Sequence, residues 1–133
     1  MYCIDTNIAI DILRGDETLK EKISRLVVSR EEVFISSISL CELFKGVYLI
    51  EIKEKQDEAL LKIKSFISSF EVVDFEEVSC EEFGRIYSFL KKIGKMVPEP
   101  DIMIAAMVKV NNLILITRDK KHFKNLGIKV EDW

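Results

Sequence analysis

A chain of 133 residues that is 48% hydrophobic and 32% charged has enough apolar material to bury one core, and too much of it to remain disordered. Its formal charge of −3 gives no general attraction for nucleic acid, so contact with phosphates would have to come from a local cluster of Lys and Arg. No apolar stretch approaches the roughly 20 residues of a spanning helix, and Asp5 and Asn7 interrupt the first apolar run too early for a signal peptide, so a cytoplasmic protein is expected.

The run from Tyr2 to Ile4 predicts a strand that ends on Asp5, and a short helix follows from about Asn7 to Leu13, stopped by Gly15. A second helix is expected from Glu17 to Ser29, and a strand over Val33 to Ile35. Ser36 and Ser37 then serve as helix-initiating candidates for an amphipathic stretch from Ser39 to Leu49. Lys53 to Ser69 reads as helix, with Leu60, Ile63 and Ile67 on one face, and Glu71 to Asp74 as a strand. Cys80, Phe83, Ile86, Tyr87 and Leu90 recur at helical spacing up to Gly94. The segment Val97-Pro98-Glu99-Pro100 cannot continue that helix, because each Pro lacks a donor, so a new helix is expected from about Asp101. Strands over Leu113 to Thr117 and Ile128 to Val130 complete the chain.

Strands separated by helices favour parallel pairing with helices on both faces, which predicts one three-layer α/β/α domain over residues 1–133. Cys3, Cys41 and Cys80 are odd in number, far apart and set among apolar residues, so they read as buried free thiols.

In a parallel sheet all strand C-termini share one edge, which brings Asp5 and Asp119 to the same side. Asp101, at a helix start after a Pro-rich turn, is expected there too. Glu42 lies early in a helix between Cys41 and Leu43, where a solvated face would carry more than one charge. Taken singly, each acid reads as an N-cap, a turn residue or half of an exposed pair. Taken together, four carboxylates gathered at one rim repel and desolvate one another, and a fold keeps such a cluster mainly to hold a cation. All-oxygen ligands point to Mg²⁺ or Mn²⁺, and the chemistry such an ion serves is phosphodiester hydrolysis.

Other chemistries fit less well. His122 is the single histidine, which excludes a two-histidine nuclease, and its place beside Phe123 suggests a surface or packing residue. No Gly-x-Ser-x-Gly turn, P-loop or dinucleotide fingerprint is present. An aspartate-nucleophile phosphatase would need a second acid where Asn7 stands. Basic residues cluster at Lys91, Lys92 and Lys95 and again at Arg118, Lys120, Lys121 and Lys124, and Arg118 is the favoured phosphate contact because it adjoins Asp119.

Asp5-Thr6-Asn7, Ser37 through Glu42-Leu43 with Gly46, Asp101-Ile102-Met103-Ile104-Ala105-Ala106, and Thr117-Arg118-Asp119 with Phe123 together resemble the PIN-domain ribonucleases, and among them the VapC-type toxins of toxin–antitoxin pairs. The resemblance runs from Tyr2 to Trp133. It implies a four- or five-stranded parallel sheet, Mg²⁺ or Mn²⁺ at an acidic centre, and endonucleolytic cleavage of RNA. Carried over by position, it makes Asp5, Glu42, Asp101 and Asp119 the catalytic and metal-holding set, with Asn7 and Thr117 supporting them through hydrogen bonds. It also implies a homodimer and a small antitoxin that can place a basic side chain in the acidic site, with Ile12, Leu13, Val47 and Ile50 as candidate apolar contacts. One departure is Val97-Pro98-Glu99-Pro100 before Asp101, where Glu99 offers an extra outer acid. The alternatives are a PIN-like module that binds RNA or protein without cleaving it, which has no need of all four acids, and a phosphoacceptor signalling domain using Asp74, which leaves Glu42, Asp101 and Asp119 unexplained.

Overall fold

The computed structural model describes all residues from Met1 to Trp133. Five strands, β1 (Tyr2–Ile4), β2 (Val33–Ser36), β3 (Glu71–Val73), β4 (Ile114–Thr117) and β5 (Lys129–Asp132), form one sheet in the order β3-β2-β1-β4-β5. Every neighbouring pair is parallel, with Cys3 opposite Phe34 and Leu115, and Ile4 opposite Ile35 and Ile116. Seven helices connect them: α1 (Thr6–Leu13), α2 (Glu17–Val28), α3 (Ser37–Tyr48), α4 (Lys53–Ile67), α5 (Glu77–Ile93), α6 (Glu99–Val110) and α7 (Lys120–Phe123).

Successive strand residues point to opposite faces, and that alternation divides the core in two. Cys3 and Leu115 face one layer, where they meet Ile86 and Leu90 of α5, Ile102 and Ala105 of α6, and Phe123. Ile4, Ile35 and Ile116 face the other, against Ile8 and Ile12 of α1, Leu19 of α2, Leu43 and Val47 of α3, and Ile63 of α4. Ile4 and Ile116 are fully buried, so truncating either to Ala would cost about 2–5 kcal/mol. The chain thus has the expected three layers.

Strand order reverses at β1: the chain winds outward through β2 and β3, then returns across the sheet to place β4 on the other side of β1. Two strands that leave a common centre in opposite directions open a crevice at their carboxyl ends, the usual ligand site of an open parallel sheet. Asp5 directly follows β1, and its backbone N–H still bonds the carbonyl of Ile116 at 2.9 Å. Asp119 lies two residues beyond β4.

Three sequence expectations are corrected. Helix α6 begins at Glu99 and not at Asp101, with Pro98 as its N-cap residue and Pro100 in the first turn, where a missing N–H costs nothing. The inward face of α5 is Ser79, Glu82, Ile86 and Leu90, which leaves Cys80 exposed and Phe83 and Tyr87 at the margin. Of the cysteines, Cys3 is buried while Cys41 and Cys80 face outward.

Candidate active site

The crevice is a cleft of about 340 Å³ whose lining includes Asp5, Asn7, Glu42, Asp101 and Asp119 together with His122. The four acids arrive on four separate pieces of chain. Asp5 ends β1, Glu42 lies in the second turn of α3, Asp101 sits in the first turn of α6, and Asp119 follows β4.

Asp5 is the deepest. It is 5% exposed and is the N-cap residue of α1, with Oδ1 accepting from the Thr6 backbone N–H at 2.7 Å. Its Oδ2 accepts the Thr117 hydroxyl at 2.6 Å. That hydroxyl in turn accepts from Asn7 Nδ2 at 3.2 Å and from the Asp119 backbone N–H at 3.0 Å. One donor and two acceptor positions are all a hydroxyl has, so Thr117 is fully used as the clasp between the ends of β1 and β4. Cap and site residue are therefore the same side chain at position 5.

Burial pushes the Asp5 carboxyl up to about 6; the bonds from Thr117 and Thr6 pull it back, and the negative charges of Asp101 and Glu42 add to the rise. Asp101 is also raised, first by burial, then by the charges of Glu42 and Asp119, against the lowering pull of His122. This mutual repulsion is the electrostatic sign of carboxylates that share one space.

Glu42 is held by Thr6, whose hydroxyl hydrogen-bonds Oε2. Asp101 and Asp119 meet at His122, whose Nδ1 lies 2.8 Å from Asp101 Oδ2 and 3.0 Å from Asp119 Oδ2. Each of the four carboxylates has a protein partner, and the side chains do not form a ready-made cage of three or more ion ligands.

Arg118 does not line the cleft. Its guanidinium turns out of the cleft to Asp11, with Nε 3.2 Å from Oδ2, and to Asp16, with Nη2 2.7 Å from Oδ2. Arg118 thus faces away from the acids, toward the corner between α1 and α2. Glu99 is exposed and absent from the cleft lining, which Pro98 and Pro100 supply instead. Asp74 is exposed beyond β3, at the sheet edge.

Sequence reasoning missed Thr6 and His122. A signal existed for Thr6, which is polar at the start of an apolar helix face and buried at 8% exposure. For His122 the only signal was its spacing of three from Asp119, which puts both on one side of a helical turn.

Residues 2–129 match the PIN domain family. The chain is 30% identical over 133 residues to the ribonuclease VapC2 of Haemophilus influenzae, covering 99% of this chain and 97% of that protein. It is 28% identical to the tRNA(fMet)-specific endonuclease VapC of Shigella flexneri, over 99% of this chain and 97% of the relative. Among solved structures, a chain of VapBC2 from Rickettsia felis bound to a promoter DNA fragment superposes with a TM-score of 0.90 at 26% identity, covering 99% of this chain and 98% of that one. With the family matched from β1 to the start of β5 and the acidic cleft at its expected edge, the chain belongs to the PIN-domain family.

Proposed function

We propose that this protein is a divalent-metal-dependent endoribonuclease that works as the toxin of a toxin–antitoxin pair, with Asp5, Glu42, Asp101 and Asp119 as its catalytic acids. The observation that carries the reading is the convergence of these four carboxylates, from four elements, on the cleft at the point where strand order reverses. Such a cluster works against the fold unless a cation compensates it.

The donor set fits a hard divalent ion: every candidate ligand is a carboxylate oxygen, and two of the four acids are raised by burial and by one another. Mg²⁺ or Mn²⁺ is the ion proposed. When bound, it supplies Lewis-acid stabilisation of charge on the phosphoryl group and makes water a better nucleophile.

The chain's own residues do the rest. Thr117 and the Thr6 N–H fix both oxygens of Asp5, so that carboxylate cannot rotate as substrate enters. Asn7 holds Thr117 and also accepts from the Arg118 backbone N–H at 3.4 Å, locking the turn that carries Asp119. His122 gives Asp101 and Asp119 a donor while they wait for a cation. Pro98 and Pro100 form a stiff wall beside Asp101.

The antitoxin is supported by a second cavity. An apolar groove of about 420 Å³ runs between α1, α3 and α4, lined by residues that include Leu13, Val47 and Ile50, and it shares Ile10 and Glu42 with the acidic cleft. A partner with an apolar segment in the groove and a basic side chain at its end would reach the carboxylates directly. Ile12 and Val47 are themselves core residues, at 8% and 3% exposure, which leaves Leu13 and Ile50 as the more accessible apolar contacts. No helix is long and apolar enough to cross a membrane; a cytoplasmic site of action is proposed in keeping with an RNA substrate, and a homodimer is proposed from the family resemblance alone.

The test is end-group analysis of RNA cut by the purified protein with Mg²⁺ or Mn²⁺. Attack by water leaves 5′-phosphate and 3′-hydroxyl ends. Cleavage that survives exhaustive chelation, or yields 2′,3′-cyclic phosphates, overturns the mechanism.

A further inference from the structure

Three buried hydroxyls lie in line behind Glu42, and proton counting gives the line a direction. The Thr6 hydroxyl contacts both Glu42 Oε2 and, at 3.0 Å, Ser39 Oγ. Ser39 Oγ is 2.9 Å from Ser36 Oγ, and Ser36 Oγ accepts from the Ser39 backbone N–H at 2.9 Å as the N-cap of α3. A carboxylate has no proton to give, and each hydroxyl has one. Thr6 must therefore donate to Glu42, which obliges Ser39 to donate to Thr6 and Ser36 to donate to Ser39. Ser36 and Ser39 are both 0% exposed, so water does not compete for these bonds.

We infer that Thr6 is a positioning residue of the acidic site, the last member of a one-way hydroxyl relay, Ser36 to Ser39 to Thr6 to Glu42, that anchors one oxygen of Glu42 and leaves the other for the cation. The inference rests on the ribonuclease reading, since it assigns the relay's purpose to that site. Three features support it. The last bond is to a carboxylate, and charge-assisted bonds are the stronger kind. Hydroxyls donating in one sense polarise one another, so the chain strengthens its final link. The relay also starts at the end of β2 and crosses from α3 to α1, so it references Glu42 to the backbone that carries Asp5. Oε1 of Glu42 makes no hydrogen bond within the protein.

Thr6→Val keeps the shape and removes the donor, whereas Thr6→Ser keeps the donor and removes a methyl group. In thermal melts titrated with Mg²⁺ and without RNA, the midpoint of the Mg²⁺ effect should rise about 10–100-fold for Thr6→Val and stay near the parent value for Thr6→Ser. RNA cleavage should follow the same order, with the loss in kcat more than in KM. A parent-like Mg²⁺ midpoint in Thr6→Val overturns the assignment, as does a Thr6→Ser variant as weak as Thr6→Val. A double-mutant cycle of Thr6→Val with Glu42→Ala, which removes the acceptor, is melted in chelator and reads the bond with neither metal nor RNA. Non-additive melting temperatures support the relay and additive ones overturn it. If the parent cleaves no RNA the functional reading fails, and this cycle still decides the relay.

Discussion

His122 and Asp101, on different elements, meet at the mouth of the cleft with Nδ1 and Oδ2 2.8 Å apart. The same ring nitrogen is 3.0 Å from Asp119, so one side chain of α7 ties the first turn of α6 to the turn after β4. Asp101 is held above its ordinary value by burial, and His122 is the main influence drawing it down.

His122→Ala should therefore push the Asp101 carboxyl higher still. Carbon-13 titration of the aspartate carboxyls in metal-free protein checks this, and an unmoved Asp101 resonance would show that the ring does not influence it. The histidine side chain is 43% exposed, so solvent screens the pair and the stability lost at neutral pH should stay below about 1 kcal/mol.

Asp5 gives the metal-free protein a pH dependence of definite sign. Its folded-state value is raised from 3.8 to about 6, so the folded chain binds this proton more tightly than the unfolded one does. The contribution is fully present below about pH 4 and is lost as pH rises through about 6. Raised Asp101 acts in the same direction, while lowered Asp16 and Glu82 act in the opposite one. Asp5→Asn should flatten this fall and leave the chelated protein at pH 7 as stable as the parent or up to about 2 kcal/mol more so. Urea titrations at several pH values in chelator decide it. A large loss at pH 7 would mean that Asp5 serves mainly as the cap of α1.

Loss of an acid should separate toxicity from folding. The unaltered chain expressed alone in a bacterial host is expected to arrest growth, and co-expression with a small protein encoded beside it should restore growth. Asp101→Asn, which lies in the first turn of α6 and not at its cap, should fold, lose more than about 100-fold of cleavage activity, and be harmless. High accumulation of the parent without slowed growth, or equal toxicity of the variant, would remove the toxin reading.

The sequence by itself determined the architecture, because the information for it is local. The apolar run Tyr2–Ile4, the Ser36 cap, the helical spacing of Ile86 and Leu90 and the stop at Gly94 each act within a few residues, and together they specify alternating elements that close into a parallel sheet. Once the sheet is parallel, Asp5 and Asp119 share an edge whatever the packing details. The tertiary structure alone decided where side chains point across elements. Thr6 reaches Glu42 over a separation of 36 residues, and Thr117 reaches Asp5 over 112. It likewise turned Arg118 to Asp11 and Asp16, drew His122 to Asp101, and rotated α5 so that Cys80 faces solvent. Spacing along a chain constrains neighbours on one element, but bonds between elements depend on how two surfaces dock, and docking is set by the volume of the whole core.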